Sequence, residues 1–143
     1  PLMTLEYYTE ALTRMGQTSA SHNVLYFCEK ADQEYIQEKM LTPLQQNPLF
    51  KNKFTFQCID HNLSDWEQLI VMTLCRHHII ANSTFSWWAA WLNQNPKKIV
   101  IAPKIWFSSN SIGLLTSNKV PFFSLMDLII FCILIYFSCT KVH

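Results

Sequence analysis

The chain has 143 residues, half of them apolar, and eleven basic against ten acidic side chains give it a net charge of +1. That length allows one domain with a real core. The composition excludes a disordered chain, and with no basic run longer than Lys97-Lys98 it excludes a nucleic-acid surface.

Only two glycines occur, Gly16 and Gly113, which rules out every glycine-rich phosphate loop. Any phosphate site must use another device. The five cysteines (Cys28, Cys58, Cys75, Cys132, Cys139) are odd in number and form no Cys-x-x-Cys pair. Neither a disulfide framework nor a zinc site is expected from that pattern. Cys28, Cys58 and Cys75 sit in apolar runs and read as small core residues, consistent with a reducing compartment. The chain starts at Pro1 and reads as an internal piece of a longer product.

In chain order, apolar residues at helical spacing predict a helix over Leu5–Met15, closed by Gly16. Val24–Cys28 is a short buried strand, and Asp32–Leu41 a helix. Thr42–Asn52, which contains prolines, is a connection. Phe54–Ile59 is a strand with aromatic content. Ser64-Asp65-Trp66-Glu67 is a capping box opening a helix to about Cys75. His77–Ala81 is a strand, Phe85–Asn93 an aromatic helix stopped by Asn95-Pro96, and Lys98–Ala102 the next strand. Helices and strands alternate with short links. The pattern predicts α/β architecture, a Rossmann-like parallel sheet with helices on both faces. Ligands of such sheets bind at the C-terminal ends of strands.

The most informative stretch is Asn82-Ser83-Thr84, between a strand and the helix of Phe85-Ser86-Trp87-Trp88. The first N–H groups of a helix lack internal partners and the dipole is positive there, so such a turn suits an anion, phosphate above all. The same residues also read as an ordinary N-cap satisfying those N–H groups.

At Ala81-Asn82-Ser83-Thr84-Phe85-Ser86-Trp87-Trp88 the chain resembles the α-1,2-fucosyltransferases, glycosyltransferase family 11. The resemblance runs over residues 3–107. Leu5-Glu6-Tyr7-Tyr8 resembles the family's Tyr-Tyr helix, and Leu25-Tyr26-Phe27-Cys28-Glu29 its second strand with an acidic turn. Asp65–His77 resembles the helix before the motif, and Lys98–Phe107 the family's next segment after it. The resemblance implies the C-terminal lobe of a GT-B-type glycosyltransferase over 1–107, incomplete at its N-terminus. It implies an inverting galactoside α-1,2-L-fucosyltransferase of glycan synthesis, with GDP-fucose as donor, a galactose-terminated glycan as acceptor and no metal required. Asn82, Ser83, Thr84, Phe85 and Ser86 would face the donor diphosphate. Glu29 or Asp32 would read the guanine, although Cys28-Glu29-Lys30 stands where the family commonly has Ser-Asp-Asp. The family's His-x-Arg donor motif precedes the Tyr-Tyr helix, just before this chain begins. Its only arginines, Arg14 and Arg76, lie in other contexts. Leaving-group stabilisation relies on cations at the diphosphate, so this chain alone is expected to be inactive. No catalytic base is assignable. The alternative is a non-catalytic, degenerate domain of the same fold, acting as a membrane-tethered or interaction module.

Several other residues carry an ordinary reading beside a functional one. Trp87 and Trp91 share a helix face expected to pack on the sheet, and a sugar-stacking platform is the alternative. His77 and His78 point to opposite faces of a strand and read as structural. His61, at a strand end, reads as a solvated loop residue or a base contact. Asp65 and Glu67 complement a helix dipole. After Phe107 the pattern is lost. Residues 108–121 read as a linker. Phe122–Cys139 is apolar apart from Ser124, Asp127 and Ser138. That tail reads as a membrane span, a buried strand-turn-strand, or a non-native extension. A membrane location follows from the first reading, Golgi-type in a eukaryote, with the cytoplasm as the alternative.

Overall fold

The computed structural model describes residues 3–17, 21–103 and 132–136, the last by their backbone alone. Five strands occur: β1 (His22–Phe27), β2 (Phe54–Cys58), β3 (His77–Ile79), β4 (Val100–Ile101) and β5 (Cys132–Tyr136). They form one sheet in the order β2-β1-β5-β3-β4, with every pairing parallel. The helices are α1 (Leu5–Met15), α2 (Gln33–Ile36), α3 (Thr42–Gln46), α4 (Asp65–Thr73) and α5 (Thr84–Leu92).

Alternation along β1 divides the interior. Val24 and Tyr26 join a cluster with Tyr8 and Leu12 of α1 and with Ile36 and Leu44 of α2 and α3. Leu25 and Phe27 point the other way, toward Met72 of α4 and Ala89 of α5. Successive strand residues face opposite sides, so helices cover both faces. Each fully buried aliphatic or aromatic side chain contributes about 1.5–3 kcal/mol.

α1 has the predicted bounds. Thr4 Oγ1 accepts from the Tyr7 N–H at 3.3 Å, and the Gly16 N–H donates to Leu12 O at 2.8 Å. The capping box also forms, with the Ser64 N–H donating to Glu67 Oε2 at 2.8 Å. The Ser64 hydroxyl, which donates to the same oxygen at 2.5 Å, and then this N–H hold the Glu67 carboxyl below its usual range.

The segment expected as a helix followed by a Pro-containing connection is different. A 3-10 turn (Lys30–Asp32) leads into α2, a π turn (Gln37–Leu41) and then α3, so the helical path runs through Thr42 and Pro43. Pro43 has no N–H, and its ring would crowd the carbonyl four residues back. The π turn relieves this: the Thr42 N–H reaches Gln37 O, and Pro43 falls in the first turn of α3, where proline is tolerated.

β3 and β4 are shorter than their apolar runs. The Ile80 N–H still reaches Ile101 O at 2.9 Å, and the chain then turns, the Ser83 N–H donating to Ala81 O at 2.8 Å. The Ile99 N–H donates to the His77 ring at Nδ1, 3.0 Å, instead of to a ladder carbonyl.

Within the apolar tail, Cys132–Tyr136 forms the middle strand, paired with β1 on one side and β3 on the other. The rest of the tail and the stretch 108–121 lie outside the described residues. Among the described residues no helix is long and apolar enough to cross a membrane.

Candidate functional site

Because every pairing is parallel, the ends of β1, β2 and β3 share one edge. The chain leaves β1 outward to β2, then crosses to β3 and continues outward to β4. The order therefore reverses between β1 and β3, where open α/β sheets bind ligands. With β5 between them, those two strand ends are roughly 10 Å apart at about 4.8 Å per strand.

At the β3 end, Ser83 is the N-cap of α5, its Oγ accepting from the Ser86 N–H at 3.5 Å. Thr84 is exposed, and its N–H finds no acceptor among the described residues. Ser86 was expected to face a ligand, yet it is fully buried, its hydroxyl 3.0 Å from Ser83 O and 3.4 Å from Ala81 O. Phe85 packs half-buried beside the Phe27 and Met72 cluster. Asn82 and Ser83 are half-buried. Of the five motif residues, Asn82, Ser83 and Thr84 form the surface, while Phe85 and Ser86 hold it from beneath.

Tyr7 secures this turn from the other face. Its buried hydroxyl is 2.6 Å from Ile80 O and 3.2 Å from Ile101 O, donating across the ends of β3 and β4. Burial holds the phenol above its ordinary range, so it stays a donor. A Tyr-Tyr pair on a helix was visible in the sequence; the carbonyl it serves was not.

Glu29 and Asp32, the acidic candidates, follow β1 on the same edge. Glu29 is exposed, and its carbonyl accepts from the Asp32 N–H at 2.9 Å; Asp32 is buried. They share an edge with Asn82–Thr84, separated by the width of β5. Neither arginine is at the turn. Arg14 pairs with Glu10 at 3.1 Å on the exposed side of α1, and Arg76 precedes β3, at the end of that strand opposite to Asn82.

The far end of α5 is tied down. Asn93 Nδ2 is 2.6 Å from His78 Nε2 and also donates to Cys75 O. Asn93 Oδ1 accepts from the Asn95 N–H at 2.7 Å. The Lys98 ammonium donates to Asn93 O at 2.6 Å and Ala90 O at 2.8 Å, neutralising the helix C-terminus. Burial, then Lys98 and His77, hold His78 down to about 3, so its ring is neutral and Nε2 accepts from Asn93. Both histidines are structural, as expected.

The tryptophans are not. Trp87 and Trp91 were expected on the sheet, but both are nearly half exposed, as is Trp88. Ser86, Ala89, Ala90 and Asn93 take the inner positions instead. These small side chains let α5 lie close to the sheet, where indoles would not fit. The rings pack on each other in solvent, Trp87 and Trp91 stacked at 6.3 Å with Trp88 edge-on to both.

One cluster was missed in the sequence. Cys28, Cys58 and His61 meet at the ends of β1 and β2, their sulfur and nitrogen atoms all within 4.8 Å of one another. Burial first, then Cys58, pushes the Cys28 thiol up to about 12.

The model of the family described as "Glycosyl transferase family 11" matches residues 4–119. The chain is similar to the O-antigen biosynthesis glycosyltransferase WbnK of Escherichia coli, 27% identical over 118 residues. That alignment takes in 82% of this chain and 36% of the relative. It is also similar to an alpha-1,2-colitosyltransferase of Escherichia coli, 29% identical over 112 residues, 78% of this chain and 36% of the relative. The chain thus spans about a third of the length of these relatives. No solved structure matches it.

Proposed function

Since the chain belongs to glycosyl transferase family 11, we propose that it forms the donor-binding part of an inverting galactoside α-1,2-L-fucosyltransferase that uses GDP-fucose. The observation that carries this reading is the open N-terminus of α5 at the C-terminal edge of the sheet, beside the strand-order reversal. The Thr84 N–H, the Ser83 and Thr84 hydroxyls and the Asn82 amide offer neutral donors to a diphosphate, and the helix dipole adds its positive end. The guanine lies toward β1, where a carboxylate of Glu29 or Asp32 accepts from its N1–H and amino group. In the reaction a galactose 2-hydroxyl attacks fucose C1 from the side opposite GDP and releases its proton to water. The C1–O bond to the diphosphate breaks as the α-linkage forms, and GDP departs with charge that the α5 terminus stabilises only in part; without the arginine donor motif this chain alone is expected to be inactive. No metal takes part in this step. The domain corresponds to the C-terminal lobe of a GT-B-type fold, and the acceptor glycan meets protein beyond this segment.

A second donor sugar is favoured by one finding. A relative is named as an alpha-1,2-colitosyltransferase, so the same linkage with colitose in place of fucose is the runner-up. Saturation-transfer NMR on the 143-residue chain tests both. GDP-fucose should receive saturation and lose it to GDP but not to UDP. Displacement by UDP as effective as by GDP would overturn the guanine assignment. Stronger transfer to colitose on the same nucleotide would replace fucose as the donor sugar.

A further inference from the structure

We infer that Cys28, Cys58 and His61 form a zinc site that ties the end of β1 to the end of β2. Parallel pairing sets Tyr26 opposite Cys58, and the Ile59 N–H continues the ladder to Tyr26 O at 3.0 Å. Cys28, just past β1, thereby comes beside Cys58 although thirty residues separate them in the sequence. His61 is brought back by the turn after β2. Asp60 Oδ1 accepts from the Asn62 N–H at 2.9 Å, and Asp60 O from the Leu63 N–H at 3.2 Å. That turn sets His61 Nε2 3.6 Å from Cys58 Sγ.

The spacing fits zinc. Bonds of about 2.3 Å to sulfur and about 2.0–2.1 Å to nitrogen, at the tetrahedral angle, set such ligands roughly 3.6 Å apart and two sulfurs roughly 3.8 Å apart. The Cys58–His61 separation already has that value, and all three ligand atoms lie within 4.8 Å of one another. Two soft sulfurs with an imidazole are a zinc donor set rather than one for calcium or magnesium, which take oxygen. Cys58 also shares a hydrogen bond with Tyr26, an outer partner of the kind that orients a thiolate ligand. Burial differs across the set: Cys28 is buried, whereas Cys58 and His61 are half-buried. The ion would therefore enter from the strand-end edge and keep a water in its fourth position. The ion would tie the two strand ends together, and this assignment does not depend on which sugar the protein transfers.

The test is zinc content of the full chain, prepared with Zn(II) and desalted, and the spectrum of the same chain with Co(II) in its place. About one zinc per chain, with tetrahedral cobalt bands and thiolate charge transfer, is expected. His61→Ala should weaken zinc binding by more than the roughly 10–100-fold typical of losing an outer partner, and Cys58→Ala should abolish it. If either variant fails to fold, alkylation of the wild-type chain decides the matter: zinc should protect Cys28 and Cys58 against iodoacetamide, and a chelator should remove that protection. Zinc below stoichiometric amounts, equal binding by a folded variant, absence of zinc-dependent protection, or a Cys28–Cys58 disulfide in the isolated protein would each overturn the assignment.

Discussion

The two ends of α5 are built differently. At its C-terminus side chains tie the helix down: His78 Nε2 meets Asn93, Asn93 meets Cys75 O and the Asn95 N–H, and Lys98 meets two helix carbonyls, while His78 Nδ1 is buried without a partner among the described residues. At its N-terminus a long 3.5 Å hydroxyl cap is the helix's own provision, and the Thr84 N–H has no acceptor among the described residues. The fold fixes the helix from behind, and the proposed function puts the donor at its front. Rigidity and recognition are thus separated along nine residues, and substitutions at the two ends should have opposite signatures.

Asn93→Ala should have the largest effect on stability. It strips partners from buried His78 and from Cys75 O, at roughly 1–3 kcal/mol for each unsatisfied group. Urea unfolding should show a loss of that size, and a loss under about 0.5 kcal/mol, the scale of a surface change, would show that the C-terminal network is not what holds α5. Acid probes the same end without a mutation. Folded His78 stays neutral down to about 3, whereas an open histidine protonates near 6.5. Below 6.5 the unfolded chain binds a proton that the folded chain refuses, so this contribution is complete above 6.5 and is lost as pH falls toward 3. His77, held to about 4 by burial and then by Arg76, acts in the same direction. The urea midpoint should therefore fall between about pH 7.5 and about pH 5; a flat profile would mean that the ring is accessible.

Tyr7→Phe tests the front from its far side. Removing the hydroxyl leaves Ile80 O without its donor, for about 1–2 kcal/mol. Because Ile80 lies two residues before Asn82, nucleotide binding should weaken together with stability. Unchanged nucleotide affinity at reduced stability would detach Tyr7 from the site. The smallest stability change belongs to Ser83→Ala, about 0.5–1 kcal/mol for a weak cap.

Local features were legible in the sequence. α1 ends where its spacing and Gly16 put it, and Ser64 with Glu67 forms the box that their three-residue spacing announces. Features set by tertiary contact were not. Pro43 reads as a breaker, and only the π turn before it shows how the helix absorbs it. The tryptophans read as core because indoles usually are, but Ser86, Ala89 and Ala90 decide which side of α5 approaches the sheet. Cys28 and Cys58 are neighbours through strand register, which no search for a local Cys-x-x-Cys detects; the trace that remained was Cys58 and His61 three residues apart. The strand at Cys132–Tyr136 belongs between β1 and β3, far from its place in the chain order, so a piece ending at residue 107 would lack the middle of the sheet.

The measurement that bears most directly on the central claim is GDP binding by calorimetry to the whole chain, beside the Ser83→Ala/Thr84→Ala double variant. Saturable one-site binding by the wild type is expected, lost in the variant while its urea midpoint changes little. Binding that survives in the folded variant, or no binding by the folded wild type, would contradict a donor site at the N-terminus of α5.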